Sequence, residues 1–373
     1  MTTGIPISEE RPAFRNLSGM DWALVLSALV LAAIGVATVH SASAEMPIDY
    51  LPRQALWVGL GVLFMAVAGA INYRTLVDLA LPIYLMGLGL LVLVLVAGEV
   101  GGGARSWLEF GGVGAQPGEL AKLTTALFLA RYLAGVNKRY LGVKELAVAG
   151  LIVAAPMVLL ALQPDLGSAV MFLPMLAGMV VVAGLKWRFL AIAALVVVAA
   201  GAGVWFFGMQ DYQRQRVFTF LNPESDPLGA GYQVQQSKIA VGSGELAGKG
   251  YMQGTQSQLR FLPARHTDFI FAVLAEEWGF VGSVAVLGLY AIFLINALRI
   301  GMRARERVAV LLVVGLVSLV AVHVLYNTAM VVGLVPITGI PLPFLSYGGS
   351  FTLLNFAIVG ILVGVDVRRY VNA

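Results

Sequence analysis

Long runs of Leu, Val, Ala, Ile and Gly recur from residue 22 to residue 365, each ended by a short polar segment. A helix needs about 20 apolar residues to cross the hydrocarbon core of a bilayer. Runs that meet or approach that length cover Trp22–Ala37, Ala55–Ala70, Leu76–Ala97, Leu120–Ala134, Val143–Leu162, Gly167–Gly184, Phe189–Met209, Phe269–Leu298, Val308–Val335 and Thr352–Val365. The pattern predicts an all-α integral membrane protein of about ten transmembrane helices. The long run after Phe269 reads as one tilted helix. Residues 1–20 form a polar first segment, and residues 21–373 read as one polytopic domain without a repeat of 20–50 residues. The longest polar stretch, 210–267, joins the seventh and eighth helices as a large loop.

An even number of spans puts both termini on one side, and charge chooses the side. With the termini inside, the short inner segments hold Arg11, Arg15, Arg74, Lys138, Arg139, Lys144, Lys186, Arg188, Arg299, Arg303, Arg305, Arg307, Arg368 and Arg369. The short outer loops hold little beyond Arg53 and Arg105. Lys and Arg concentrate on the cytoplasmic side of membrane proteins, so both termini are expected there. No cleavable leader is expected in the polar first twenty residues.

Composition agrees with lipid as the solvent. The chain is 59% hydrophobic and 12% charged, against about 25% charged in soluble domains. A net charge of +4 gives no sign of nucleic-acid binding. Without cysteine there is no disulfide, thiolate metal site or thiol nucleophile. His40, His266 and His323 are too scattered to suggest a zinc site.

Asp268 is the first candidate for chemistry. It lies in Arg265-His266-Thr267-Asp268-Phe269, where the long polar stretch enters the eighth span. Loss of water raises a carboxyl pKa, and such a base can take a proton from a sugar hydroxyl. An Asp in the first turn of a helix is also a common cap. Glu119 and Lys122, in Gln116-Pro117-Gly118-Glu119-Leu120-Ala121-Lys122, share a helix face. Ion pairs inside membranes usually line cavities or pathways, although a terminal Glu119 with a snorkelling Lys122 explains the spacing as well. Glu276 and Glu277 point different ways on one helix, so at least one is expected to bond another helix. Arg214, Arg216, Lys238, Lys249, Arg260 and Arg265 make the long stretch basic, suited to a pyrophosphate or simply to water. The Gly-rich run 242–250 lacks the spacing and the following Ser or Thr of a nucleotide-binding loop. His323 and Asn327, one turn apart, read as interhelical hydrogen-bonding residues. The Pro- and Gly-rich segment 333–350 must break helix, and at membrane depth broken backbone lines a cavity or is buried.

Under the expected topology Arg105, Trp107, Glu119, Asp165, Lys238, Lys249 and Asp268 all reach the outer face. ATP is absent there, so an enzyme at that face needs a substrate that arrives activated. A lipid diphosphate meets that need, with cations holding the leaving group.

Over essentially all its spans the chain resembles the SEDS family, the shape, elongation, division and sporulation proteins. The resemblance is carried by Ala104-Arg105-Ser106-Trp107 with Gln116–Lys122, by Gln163-Pro164-Asp165-Leu166-Gly167, and by Gly231-Tyr232-Gln233 with Gln236-Ser237 and the glycines to Gly250. Phe261–Glu277 and Pro341–Ser350 complete it. Segments 265–271 and 338–343 resemble the elongation branch more than the division branch. The family usually has Ser where Gly118 and Phe351 stand, a difference expected to alter helix capping and not chemistry.

The resemblance implies a peptidoglycan glycosyltransferase of the bacterial cytoplasmic (inner) membrane that polymerises lipid II. It implies Asp268 as the catalytic residue, with Arg105, Trp107, Glu119, Lys122 and Asp165 binding substrate or shaping the cavity. Lys238, Lys249 and Arg265 are further candidates for the diphosphate. It also implies a class B penicillin-binding protein, a transpeptidase, as partner, beside other elongation-complex membrane proteins. A divalent cation, Mg or Mn, is left open as cofactor, and no metal cage is readable. Two other readings stay open: a lipid II flippase, and a non-catalytic scaffold for the transpeptidase.

Overall fold

The computed structural model describes residues 20–369, except 45, 102–103, 111–112, 260 and a scatter of positions between 187 and 228. Arg11, Arg15, Arg260 and much of the expected span at 189–209 therefore lie outside the described residues. Eight helices among those described are long and apolar enough to cross a membrane. They start with α1 (Trp22–Ser43) and α2 (Leu51–Ala70). The expected span at 76–97 divides into a short α3 (Tyr73–Asp78) and α4 (Ala80–Ala97). After α5 (Pro117–Ala134) come α6 (Val143–Leu162) and a pair, α7 (Leu166–Val170) and α8 (Phe172–Gly184), that together span. The last three are α12 (Ile270–Arg303), α13 (Arg307–Val331) and α14 (Gly349–Arg368). Helix α5 has 18 residues, enough for about 27 Å. Its charged residues Glu119 and Lys122 are buried, so it meets neighbouring helices and not lipid with that face.

Two polar connections carry structure that the apolar pattern did not predict. Residues 99–115 form a small antiparallel sheet of β1 (Glu99–Gly101), β2 (Ala104–Phe110) and β3 (Val113–Ala115), with β2 central. The long stretch 210–267 is not an irregular loop but holds α9 (Asp211–Leu221), α10 (Ala230–Ser243) and α11 (Thr255–Gln258).

Small residues let the helices approach closely, as membrane packing requires. A Cβ at Gly61 of α2 would sit 2.3 Å from the Phe356 ring of α14, and one at Gly360 would sit 2.4 Å from the Met65 carbonyl oxygen. At the end of the bundle away from Asp268, arginines cap helix C-termini. Arg368 donates to the Gly69 and Ala70 carbonyls at 3.0 and 2.5 Å. Arg307 donates to Val136 and Ala183 at 2.7 and 3.0 Å.

The expected single helix after residue 269 is interrupted. At 34 residues α12 would run about 51 Å, longer than the bilayer core of about 30 Å. Gly279 breaks it with φ 66° and ψ −163°, leaving a short first part with Glu276 and Glu277 and a membrane-length second part. A break frees backbone groups that must find partners. The run 245–250 supplies them. Phe280 and Val281 donate N–H to the carbonyls of Glu245 and Leu246 at 2.9 and 3.1 Å, and the carbonyls of Glu276 and Glu277 accept from Lys249 and Gly250 at 3.0 Å each. This close approach explains the glycines. A Cβ at Gly244 would lie 2.0 Å from the Ala275 carbonyl oxygen, and one at Gly248 would lie 2.1 Å from that of Glu277.

Candidate active site

Asp268 lies two residues before α12, on a turn that two neighbouring segments hold in place. Arg265, only 2% exposed, donates from Nε to the Ala42 carbonyl at 2.6 Å and ties the turn to the end of α1. The segment 340–347 clamps it from the other side. Ser346 Oγ accepts from the Leu342 N–H at 2.8 Å and donates to the Thr267 carbonyl at 2.6 Å. Tyr347 N–H donates to the His266 carbonyl at 2.9 Å. Asn327 of α13, fully buried, donates from Nδ2 to the carbonyls of both Asp268 and Ile340 at 2.8 Å. His266 stacks on Tyr50 at 4.7 Å between ring centres, and burial with the adjacent Arg265 charge holds its imidazole below the usual range. The backbone at 268 is thus fixed at both ends, while the half-buried carboxylate looks toward Gly339, whose missing Cβ would lie 3.6 Å from Oδ2. Burial pushes the Asp268 carboxyl up to about 6, and a hydrogen bond from Thr267 and the Arg216 charge oppose that rise. An acid tuned to that range can hold or release a proton near neutral pH.

Glu119 and Lys122 pair at 2.8 Å and are 3% and 1% exposed. Lys122 Nζ also lies 3.1 Å from His323 Nε2. His323 Nδ1 lies 2.7 Å from the Leu319 carbonyl and donates to it, which leaves Nε2 as the acceptor for the ammonium. The expected pair is therefore a triad, and one turn of α13 separates it from Asn327. Glu119 Oε2 is buried with no hydrogen-bond partner among the described residues. The space between Lys122, His323, Phe351 and Asn355 is only about 10 Å³, the size of one water probe. Phe351 lines it, its ring 5.4 Å from that of His323. As third residue of α14, Phe351 packs against His323 and supplies no side-chain cap to the helix. Gly118, second residue of α5, faces Leu160 and caps nothing.

The remaining expected residues gather at the same end with different duties. Arg105 is exposed, donating from Nη1 to the Leu95 carbonyl at 3.3 Å, and its backbone N–H reaches Gln163 at 3.2 Å. Trp107 lies over Gly114 of the small sheet. Asp165 caps α7, its carboxylate accepting from the Ser168 N–H at 3.1 Å. Lys238 is exposed, with its stem across Gly333. Lys249 pairs with the buried Glu276 at 2.7 Å. Glu276 also accepts from the Gln256 and Ser257 N–H groups at 3.0 and 3.3 Å and from the Thr255 hydroxyl at 3.1 Å. Glu277 accepts from the Ser41 hydroxyl of α1, the helix-to-helix bond expected of one of these glutamates. Among the described cations of the long stretch, Arg216 is the one whose charge bears on Asp268, and nothing in the sequence separates it from its neighbours. Among the described residues no three His, Asp or Glu side chains converge as a metal site.

These features define a multi-pass helical membrane protein with a tuned carboxylate at one end of its bundle. The family model described as cell cycle protein, covering FtsW, RodA and SpoVE, matches residues 21–371, and the chain belongs to this family. It is 41% identical over 354 residues to the peptidoglycan glycosyltransferase MrdB of Escherichia coli K12, with 94% of each chain covered. It is 32% identical to the peptidoglycan glycosyltransferase RodA of Treponema pallidum, covering 95% of this chain and 99% of that one. Among solved structures, a chain from work on the structural coordination of polymerization and crosslinking by a peptidoglycan synthase complex superposes with a TM-score of 0.81. The two are 35% identical, over 94% of this chain and 98% of that one. The crystal structure of RodA from Thermus thermophilus superposes at 0.71 with 31% identity, covering 95% and 99%.

Proposed function

We propose that this protein is a peptidoglycan glycosyltransferase that polymerises lipid II at the outer face of the bacterial cytoplasmic membrane during cell elongation and shape maintenance. The observation that carries the reading is the clamped Asp268, with a carboxyl poised near 6, in a chain whose relatives carry that activity in their names. In the step, O4 of the acceptor GlcNAc attacks C1 of the lipid-linked MurNAc. The C1–O bond to the diphosphate breaks, and undecaprenyl diphosphate leaves with the bonding electrons. Asp268 accepts the acceptor hydroxyl proton and later returns it to solvent. Arg105 and Lys238, whose side chains are exposed at this end, meet the diphosphate charge as it develops. Lys249, Arg265 and the Glu119–Lys122–His323 group support the site from within the protein. Among the described residues no three His, Asp or Glu side chains converge, and each step above is assigned to this chain's own residues.

Both termini lie in the cytoplasm on this reading, which the distribution of Lys and Arg supports. A class B penicillin-binding protein crosslinks the strands as partner, within a complex of other elongation membrane proteins. The test is reconstitution of the full chain with that partner and fluorescent lipid II. Glycan strands with release of undecaprenyl diphosphate are expected. Movement of lipid II across the bilayer without strands would instead make the protein a flippase, and neither would leave it a scaffold.

A further inference from the structure

At the end of the bundle opposite Asp268, a cleft of about 200 Å³ lies between Tyr73 and Arg74 of α3, the turn 304–306, and Val365, Arg368 and Arg369 at the end of α14. Four arginines line it, Arg74, Arg305, Arg368 and Arg369, against a single carboxylate, Glu306. That carboxylate is engaged: Arg74 pairs with it, and the Tyr73 hydroxyl donates to it at 2.9 Å. Arg369 pairs with Asp366 at 2.5 Å, and Arg368 caps the end of α2. Arg305 is exposed and has no hydrogen bond or ion pair among the described residues. Positive charge in the cleft therefore exceeds what its own acids balance.

We propose that this cleft binds the phosphate of an anionic lipid headgroup, with Arg305 as the cation that recruits it. Three observations point to a lipid. First, α2 ends at Ala70, α12 at Arg303 and α14 at Arg368, so the cleft lies where helices leave the membrane, at headgroup depth. Second, Ile71 and Met302 stand beside the lining segments in sequence and are 40% and 77% exposed, apolar surface along which an acyl chain can lie. Third, the volume is below the roughly 300–1,000 Å³ of pockets for drug-sized ligands. It suits a phosphodiester and excludes a disaccharide-pentapeptide, so the cleft is separate from the glycosyl-transfer site. A bound phosphate would join the turn 304–306 to the ends of α2 and α14.

The test is native mass spectrometry of the full chain in detergent, titrated with phosphatidylglycerol or phosphatidylcholine. Phosphatidylglycerol should be retained at concentrations where phosphatidylcholine is lost. Arg305→Gln should weaken retention about fivefold, the effect of roughly 1 kcal/mol for one cation near a membrane surface. Because Arg305 is exposed and unbonded, this change leaves the fold intact. Lys186→Gln, which removes a cation elsewhere at the same end, should change nothing. Equal retention of the two lipids, or equal loss with both substitutions, would overturn the proposal. Displacement of the lipid by millimolar inorganic phosphate would show a site for the free anion and overturn the lipid assignment.

Discussion

Acid should silence this protein through Asp268, and the structure sets the pH at which it does so. Burial lifts the carboxyl from 3.8 to about 6 against the opposing Thr267 bond and Arg216 charge. A general base works only when ionised. With a pKa near 6, about nine-tenths of the sites are ionised at pH 7 and about one-tenth at pH 5. The rate should therefore fall about tenfold over that interval. An unperturbed aspartate would still be about nine-tenths ionised at pH 5, and the rate would hardly change. Stability runs the opposite way. The folded carboxyl holds its proton above the pH at which the unfolded one loses it, so stability falls as pH rises from about 4 to about 6, by up to about 3 kcal/mol. Acid should therefore inactivate the protein without loosening the turn at 268. The assay is the initial rate of strand formation from fluorescent lipid II between pH 5 and 8, with the unfolding midpoint followed alongside. Arg216→Gln removes a cause that lowers the Asp268 pKa, so the acid limb should move up. A flat profile to pH 5, or a limb near pH 4 with the fold intact, would refute the reasoning.

Other substitutions test the supports around this site. Lys249→Met leaves Glu276 buried without its ammonium and should cost about 3 kcal/mol, read as a lower unfolding midpoint; adding Glu276→Gln should restore part of it. Gly279→Ala puts a side chain at φ 66°, 2.3 Å from the Gly248 nitrogen, and should cost at least about 1–3 kcal/mol in thermal unfolding. Lys238→Met should lower kcat for strand formation about tenfold and change KM less, as expected when a contact to the developing leaving-group charge is lost; an unchanged kcat would remove Lys238 from the diphosphate site.

Much of the fold was legible because lipid demands long apolar helices. The run at Val143–Leu162 has the same bounds in the structure. What escaped depends on contacts distant in sequence. Gly279 follows Glu276-Glu277-Trp278 in an otherwise apolar run and looks like an ordinary helix glycine. Its break is visible only when residues 245–250 lie against it, which also explains a Gly-rich run that resembled a failed phosphate loop. The sheet at 99–115 has strands of three to seven residues among glycines, too short for alternation to register. Asp268 could be picked out at its helix boundary, but the clamp from Asn327 and Ser346 and the nearby charge of Arg216 could not. Lys249 and Arg265 stand out in the sequence by charge alone, which does not show their partners, Glu276 for Lys249 and the Ala42 carbonyl for Arg265.

The central claim is that Asp268 takes the acceptor proton. Its most direct test is Asp268→Asn in the full chain bound to its transpeptidase partner, with strand formation from labelled lipid II measured at pH 7.5. The amide keeps the shape of the carboxyl and removes the base, so a stably folded, partner-bound protein that makes no strands is predicted. Strands formed at the wild-type rate by that same complex would contradict the account.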